Sequence, residues 1–514
     1  MPAATQPGNR PGKTSGTRPG ETSEAHRPKS PETHLATALA VLLVVLQAAV
    51  LAYAVHGAHT RSGDYGTYVV YAVAWSVFAV AAWLTIRRVP RRAAVPLILL
   101  GAVAFQLIAL SAPPQTSDDA YRYAWDGRVQ AAGISPYRYT PQDPALERLR
   151  DDWLFPPPEQ GPCVGWFKHP LPDGACTLMN RPAVHTIYPP VAQAWYRLVH
   201  AATPSDGREP VQAAAALTAI AVTLALLWLL RRIGRDPRHV VLWAWCPMVA
   251  LECGNNAHVD ALGVFFLVLG LGAVAAKRPL LGGLLAGAAI ATKMFPAASL
   301  VGAARRRPWL TWGTAAATVL LSYVPYLLIS GSAVIGYLPG YLKEEDYNDG
   351  ARFGLLDLVL PEAATPFAAV AVLVVTAVVV SRRSDPDRPW HAALTMTGTL
   401  LLVLAPNYPW YSLILVALVV LDGRAEWLAV GLAGYALYFT WMLGITDTQM
   451  AAVHHIAYGA ALAVVVSTAA LRGRRTRMTH RQPECAAEPV PPSEAEAVVP
   501  EPVGTTGNPA ARQA

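Results

Sequence analysis

The sequence predicts an all-α fold: a polytopic bundle of transmembrane helices with a large extracytoplasmic loop layer. Hydrophobic residues make up 53% of the 514 residues and charged residues only 15%, whereas soluble proteins carry about 25% charge. The apolar residues also form runs long enough to cross a bilayer, which takes roughly 20 residues per helix. No basic patch with interleaved aromatics lies outside the membrane-flanking sites, so membrane lipid is an expected partner and nucleic acid is not.

Polar tails are expected at both ends. Residues 1–33 are rich in Pro, Gly, Thr and Arg, and residues 473–514 in Ala, Pro and Glu, so both are predicted to be disordered cytoplasmic tails. The first apolar run lacks a small-residue cleavage site, which favours a retained anchor. About twelve spans follow, three over residues 34–112 and the others over 211–472, with starts near residues 35, 66, 93, 211, 239, 259, 309, 365, 390, 409, 427 and 449.

Charge decides the topology of residues 279–304. With the N-terminal tail inside, the basic turns 87–92, 231–238 and 277–279 all fall inside, as short cytoplasmic loops should. A single crossing by 279–304 would put the later basic turns outside. The sequence therefore predicts a re-entrant pair near 279–304 that turns near Lys293–Pro296, because proline ends a helix. The outer loops are then residues 113–210, which carry the candidate catalytic residues, and 331–364.

Two of the five cysteines lie in the first outer loop. Cys163 and Cys176 stand 13 positions apart. An oxidising compartment would favour a disulfide between them; the alternative is two free thiols. Cys246, Cys253 and Cys485 are expected to be unpaired.

The stretch "TSDDAYRYAWDGRVQAAGISPY", residues 116–137, follows the third span directly. Residues 119–132 fit a helix that Gly133 ends. Asp118 and Arg122, and Arg122 and Asp126, are four apart and can pair along one face.

A neighbouring face of this helix carries Tyr121, Trp125 and Arg128. Aromatic and arginine side chains together suit a helix that lies flat in the membrane interface. The alternative is a helix that only anchors the loop, with both aspartates capping its start.

This stretch resembles the first outer-loop motif of the polyprenyl-phosphate-dependent glycosyltransferases of the C superfamily, and is most similar to family 87 and the actinobacterial α-mannosyltransferases. Those proteins have an aspartate, a tyrosine four residues later and a Gly-x-x-Pro-Tyr-like helix end, matched here by Asp119, Tyr123, Gly133, Pro136 and Tyr137. The register selects Asp119, not Asp118.

A longer match runs from "GNNAHVDALGV" to "RRRPWL", with Lys293 and Pro296 at its Lys-x-x-Pro turn, and "APNYPWYSLIL" resembles a later family element. The resemblance covers most of residues 93–450. One departure is that the catalytic loop follows the third span here, whereas in many members it follows the first; two extra N-terminal spans would account for this.

The resemblance implies a glycosyltransferase-C-like fold in a bacterial plasma membrane with an extracytoplasmic active site. It implies transfer of a sugar, mannose in the related enzymes, from a polyprenyl phosphate to a glycan or glycolipid acceptor, with inversion. A carboxylate must take the acceptor's proton, for which Asp119 is the first candidate and Asp118 the reserve. No cofactor is expected and a divalent cation is left open. His258 and Asp260 have no third ligand at telling spacing, so no metal site is assigned.

Positive charge must hold the departing phosphate. Lys293 is the leading candidate, because a lysine within a membrane segment is costly and usually functional; the alternative is a lysine that snorkels or meets helix-end carbonyls. Further candidates are Arg122, Arg181, His258 and Arg352.

The sugar and the acceptor need polar and aromatic partners. The outer turn "ECGNNAHVD" offers these or caps two helices, and "NRPAVHTIYPP" lines the site or forms a proline-rich lid. The sugar- or acceptor-binding candidates are Tyr123, His185, Tyr188, Asn255, Asn256 and Asp260.

The rival class is a lipid or sugar transporter or flippase without covalent chemistry. Such a protein more often shows paired broken helices in two repeated halves, whereas this sequence predicts one broken pair and one dominant outer loop. No phosphate-binding glycine loop, Gly-x-Ser-x-Gly elbow or Cys-x-x-Cys pair indicates another chemistry.

Overall fold

A computed structural model describes residues 31–57, 65–157, 163–165, 167–204, 207–345 and 352–479. Most of the two predicted tails, Cys485 and part of the second outer loop lie outside the described residues. The compact unit considered below ends at Val465.

The described chain is built from helices, with one short antiparallel hairpin of strands β1 (His169–Pro170) and β2 (Cys176–Thr177). In chain order the helices are α1 (Pro31–His56), α2 (Gly66–Arg87), α3 (Arg91–Leu110), α4 (Asp119–Ala131), α5 (Pro190–Ala202), α6 (Glu209–Arg232), α7 (Val241–Ala244), α8 (Pro247–Val249), α9 (Asp260–Ala275), α10 (Pro279–Ile290), α11 (Pro296–Leu300), α12 (Pro308–Ser330), α13 (Leu338–Glu344), α14 (Thr365–Arg383), α15 (Pro389–Leu404), α16 (Leu413–Asp422), α17 (Leu428–Tyr438) and α18 (Asp447–Thr479).

Within the described residues, seven helices are long and apolar enough to cross a membrane: Glu32–His56, Gly66–Arg87, Arg91–Leu110, Glu209–Arg232, Pro308–Glu344, Glu362–Arg383 and Asp447–Arg474. The other predicted spans coincide with shorter helices. Proline accounts for several of these boundaries, since it suits a first helical turn and cannot continue a helix from its interior. The chain is an all-α polytopic membrane protein.

The core of the bundle surrounds α16. Every residue from Leu413 to Leu421 is buried. A helix that is apolar on all sides must be covered on all sides, and α16 belongs to one large buried cluster together with residues of α2, α3, α6, α9 and α17.

The basic turns gather at one end of the bundle. Arg91 pairs with Asp236 at 3.4 Å, and Arg235 donates to the carbonyl of Asp422 at 3.0 Å. Arg306 pairs with Asp387 at 2.7 Å. The turns at 87–92 and 231–238 thus meet, as do those at 305–307 and 382–388, which is the arrangement that the charge argument requires.

The predicted re-entrant pair corresponds to a broken helix. Helix α10 ends at Ile290 and α11 begins at Pro296, so the break falls where the sequence predicts the turn. Gly283 and Gly287 of α10 lie against α12; a Cβ at Gly283 would lie 2.4 Å from the carbonyl oxygen of Thr311. The amide of Val191, at the start of α5, donates to the carbonyl of Ala291 at 2.9 Å, which ties the break to the outer loop.

Helices α4 and α5 and the hairpin form the segment predicted as the first outer loop. The rings of Tyr123 and Tyr196 stack with centroids 4.6 Å apart, which fixes α4 against α5. A disulfide joins Cys163, which precedes β1, to Cys176 in β2.

The prediction that α4 presents Tyr121 and Trp125 to the membrane interface is wrong. Both rings are buried in a cluster with Leu154 and Phe155 of the outer loop itself. Arg128 of the same face pairs with Asp151. The loop folds back over this face and supplies the apolar partner that the sequence interpretation assigned to lipid.

Candidate active site

A cavity of about 470 Å³ lies where four connections meet: the start of α4, the outer loop before α5, the α10–α11 break and the turn between α15 and α16. Charged and amide side chains line it together with apolar and aromatic side chains. The polar lining residues are Ser117, Asp118, Asp119, Arg122, Asn180, Arg181, His185 and Lys293.

The two adjacent carboxylates differ in their partners. Both Asp118 oxygens are engaged: Oδ2 lies 2.9 Å from Nε2 of His169, and Oδ1 accepts a short hydrogen bond from Asn180. Asp119 Oδ1 accepts from the same Asn180 amide at 3.1 Å. Its Oδ2 accepts a long hydrogen bond from the Tyr123 hydroxyl, at 3.4 Å. Asp119 therefore keeps the more available oxygen, which suits a base, whereas Asp118 is fixed in place.

Asp118 takes neither of the two local roles that the sequence predicts for it, the cap of α4 and the ion-pair partner of Arg122. Its side chain makes no cap hydrogen bond at the start of α4. Arg122 pairs instead with Asp126, Nε to Oδ1 at 3.1 Å, which is the other predicted partner, and donates to the carbonyl of Val184 at 3.1 Å. Arg122 thus lines the cavity with its charge already matched.

Lys293 stands in the α10–α11 break and lines the cavity. Its Nζ lies 2.7 Å from Oδ2 of Asp260 and 4.6 Å from the centroid of the Tyr411 ring. The broken helix therefore delivers one cation to the cavity, with a carboxylate and an aromatic face to hold it.

Arg181 supplies a second cavity cation. Its Nε donates to Oε1 of Glu344, in α13, at 2.9 Å. Burial opposes the charged guanidinium, but the hydrogen bonds to Glu344 prevail and raise the pKa of Arg181 above its ordinary value. Arg181 has a φ of 48°, a left-handed conformation that costs a non-glycine residue energy and is often found at functional sites.

Two predicted phosphate ligands lie away from the cavity lining. Arg352 is buried in a pair with Glu345, NH2 to Oε2 at 2.6 Å. His258 is fully buried behind the cavity, and burial lowers its pKa to about 3, so the ring is neutral at physiological pH. A neutral ring provides no full charge for a phosphate.

The predicted sugar or acceptor residues divide in the same way. His185 and Tyr188 line the cavity, and burial raises the pKa of Tyr188 well above its ordinary value, so its hydroxyl remains protonated. Tyr123 is buried against Tyr188 and Tyr196, and Asp260 serves as the partner of Lys293.

Asn255 and Asn256 position the segment that leads to the carboxylates. Oδ1 of Asn255 accepts from the amide of Gln115 at 2.9 Å. Asn256 accepts from the amide of Thr116 at 3.2 Å and donates to its hydroxyl at 2.7 Å. The outer turn therefore acts on the site through the backbone before α4.

Sequence reasoning missed several residues that the fold brings to the site. His169 comes from β1, and no local pattern links it to Asp118. The aromatic lining from "APNYPWY" had a signal, because aromatics beside prolines mark that turn; its members are Tyr408, Trp410 and Tyr411. Within the described residues, no group of three or more His, Cys, Asp or Glu side chains is arranged to hold a metal ion.

Residues 186–406 match the model of glycosyltransferase family 87. Comparisons with curated proteins and with solved structures give no match. The matched range includes Tyr188, His258, Asp260 and Lys293 but begins after the aspartate pair. The resemblance to glycosyltransferase family 87 is thereby confirmed over residues 186–406, and with its apolar helices the chain is a membrane glycosyltransferase.

Proposed function

We propose that the protein transfers mannose from a polyprenyl-phosphate donor to a hydroxyl of a glycan or glycolipid acceptor, with inversion of the anomeric centre. One observation carries the proposal: Asp119 shares a single cavity with the cations Lys293, Arg181 and Arg122. A base for the acceptor and positive charge for the leaving phosphate are the two requirements of this reaction.

Asp119 is the base in this mechanism. The acceptor oxygen forms a bond to C1 of the sugar while the bond from C1 to the phosphate oxygen breaks, and the bonding electrons leave with the phosphate. The hydroxyl proton passes to Asp119. Asn180, which donates to both Asp118 and Asp119, fixes the orientation of the base.

The phosphate is assigned to the side of the cavity formed by Lys293 and Arg181. Each cation has a carboxylate partner at rest, Asp260 and Glu344 respectively. Arg181 and Glu344 are about one-third exposed, so a phosphate can compete for this guanidinium at small cost, because exposed ion pairs contribute roughly 0–1 kcal/mol.

The lipid tail is assigned to the apolar side of the same cavity. Met294, Phe295 and Ile335 line it there, and Met294 and Ile335 are both more than half exposed. In a bilayer such side chains face lipid, so a prenyl chain can leave the cavity between the α10–α11 break and α12 without meeting water.

We place the reaction at the extracytoplasmic face of the plasma membrane. The basic turns gather at one end of the bundle, and Lys and Arg mark cytoplasmic loops. Helix α3 begins at Arg91 in such a turn and ends at Leu110, shortly before the aspartate pair. The cavity is therefore assigned to the opposite, outer end.

The test is a transfer assay in membranes that contain the protein. Radiolabelled polyprenyl-phosphate mannose is supplied with candidate glycan and glycolipid acceptors, and glucose and arabinose donors run in parallel. We expect label in the acceptor with the wild type and none with Asp119→Asn. Asp173→Asn is the matched control, because Asp173 is an exposed aspartate of the same outer loop and should retain full activity.

The assay also separates the alternatives. Full transfer by Asp119→Asn would exclude Asp119 as the base. Movement of labelled lipid across the bilayer without a new glycosidic bond would indicate a transporter instead. A preference for the glucose or arabinose donor would correct the sugar and leave the mechanism unchanged.

A further inference from the structure

His258 occupies an unusual position directly behind the aspartate pair. It lies in the turn before α9, and its side chain is fully buried. Its ring packs on Trp410 with centroids 3.9 Å apart, and Trp410 is one of the residues that line the cavity. The preceding residue, Ala257, has a φ of 60°, a left-handed conformation that costs a residue with a Cβ roughly 1–2 kcal/mol. The fold thus accepts backbone strain to hold this imidazole in place.

Two carboxylates flank the ring. Nε2 of His258 lies 4.0 Å from Oδ2 of Asp119, and Nδ1 lies 3.6 Å from Oε2 of Glu252. Neither ring nitrogen has a hydrogen-bond partner, although buried polar atoms are nearly always paired. Catalytic hydrogen bonds are often long in the resting state and shorten only in the reacting complex. Each of the two separations exceeds hydrogen-bond distance by less than about 1 Å.

Glu252 is held firmly on the far side of the ring. It is fully buried, and its Oε1 accepts from the Tyr435 hydroxyl. Its Oε2 accepts from Nδ2 of Asn256 at 2.9 Å. Asn256 also holds Thr116, just before the aspartate pair. The glutamate, the imidazole and the catalytic segment are therefore parts of one connected polar network within the core.

We propose that His258 is a positioning residue that relays the acceptor's proton from Asp119 to Glu252. The inference rests on the proposed function, in which Asp119 is the base. At rest the neutral ring carries its proton on Nδ1, towards the Glu252 carboxylate, and its Nε2 lone pair faces Asp119. The pKa of His258, which burial lowers to about 3, agrees with a ring that is never a stable cation.

The proton balance closes over one turnover. As the acceptor oxygen bonds to C1, its proton passes to Oδ2 of Asp119 and from there to Nε2 of His258. The Nδ1 proton of the ring passes to Oε2 of Glu252 in the same event. Asp119 is then again a carboxylate and the imidazole has changed only its tautomer. The proton returns along the same path to solvent when the product leaves.

The test compares His258→Phe, Glu252→Gln and the double variant in single-turnover assays with the labelled donor. Phenylalanine keeps the packing on Trp410, and glutamine keeps the shape of Glu252 and one of the two hydrogen bonds that the carboxylate accepts. We expect each single variant to lower the transfer rate about 100-fold, within the range of acid–base effects, with the KM of donor and acceptor changed less than about twofold. The double variant should be no slower than the singles, because both remove one relay.

A solvent isotope measurement supplies a readout that loss of packing would not change. The wild-type rate should depend non-linearly on the deuterium fraction of the solvent, because several protons move together, and His258→Phe should make the dependence linear. His454→Phe is the matched control: His454 is another buried histidine whose Nε2 lacks a partner, and it does not line the cavity. Its transfer rate should equal that of the wild type.

Several results would overturn the relay. The first is a transfer rate within about threefold of wild type for either single variant. The second is a rise in KM that accounts for the whole loss of transfer. The third is a double variant in which the rate losses of the two single variants multiply. If His258→Phe does not insert, Glu252→Gln alone decides. Inactive Asp119→Asn beside active His258→Phe and Glu252→Gln would remove the relay but leave the proposed function intact. A wild type that transfers no sugar from any lipid donor would remove the proposed function itself.

Discussion

Substitutions at Lys293 can distinguish a role in binding the donor phosphate from a purely structural role. Its Nζ lies 2.7 Å from Asp260, and the two side chains are only 15% and 9% exposed. Lys293→Met keeps the length of the side chain and removes its charge, so Asp260 is left as an unpaired buried carboxylate. The change therefore affects stability as well as any contact with the donor phosphate.

The loss of stability and the loss of the donor contact differ in size, and only the first can be reversed by a second substitution at Asp260. Breaking a buried ion pair by removing one partner costs about 3–5 kcal/mol. Adding Asp260→Asn removes the stranded charge and should recover most of this free energy of unfolding. The donor contact is different: a hydrogen bond to a charged group contributes about 1.5–3 kcal/mol, which corresponds to an increase of about 10- to 150-fold in donor KM. No substitution at Asp260 can restore that.

The assay measures thermal stability in detergent and donor KM for the wild type, Lys293→Met, Asp260→Asn and the double variant. We expect the double variant to regain stability and to keep the raised KM. If the double variant regains both, Lys293 serves only to neutralise Asp260, and its assignment to the phosphate is refuted. If only the acceptor KM rises, Lys293 contacts the acceptor and not the donor phosphate, and the assignment is again refuted.

Three further changes test the surroundings of the site. Glu344→Gln should lower donor KM up to about fivefold, because it frees Arg181 from an ion pair that is about one-third exposed and contributes roughly 0–1 kcal/mol; a raised KM would mean that the pair shapes the cavity. Cys163→Ser opens a disulfide that joins positions 13 apart and should cost about 3 kcal/mol, with transfer becoming insensitive to reductant; unchanged melting would contradict this. Gly127→Ala would place a Cβ 2.6 Å from the carbonyl oxygen of Tyr196, and the overpacking should cost about 1–3 kcal/mol, seen as reduced folded protein in detergent.

Much of the fold followed from local chemistry. Runs of apolar residues gave the long helices, and arginine-rich turns gave a topology whose basic ends do meet, as Arg91 with Asp236 and Arg306 with Asp387. The glycines and the Lys-x-x-Pro turn gave the α10–α11 break. These features depend on hydropathy, charge and proline, which act over one helix or one turn and can be recognised without knowing the neighbours.

Only part of the candidate site could be predicted from the sequence. Asp119, Lys293 and Arg181 were expected at the reaction centre and line one cavity. Arg352 and His258 were expected there too, but the fold buries the first against Glu345 and the second behind Asp119. The membrane-facing role of Tyr121 and Trp125 failed for the same reason. An amphipathic face indicates that something apolar covers it, but the pattern does not say whether lipid or protein does.

The sequence by itself determined that this chain crosses a membrane many times, which of its turns are basic, and which segment between helices carries two adjacent carboxylates. Only the tertiary structure decided that Asn180 and His169 hold those carboxylates, that Asp260 partners Lys293, and that His258 stands between Asp119 and Glu252. Apart from His258 and Glu252, which are six positions apart, these pairs join residues 33 to 139 positions apart, through side chains whose directions depend on how the helices pack. Hydropathy and turn chemistry are local properties, whereas the distance between two side chains depends on the whole fold.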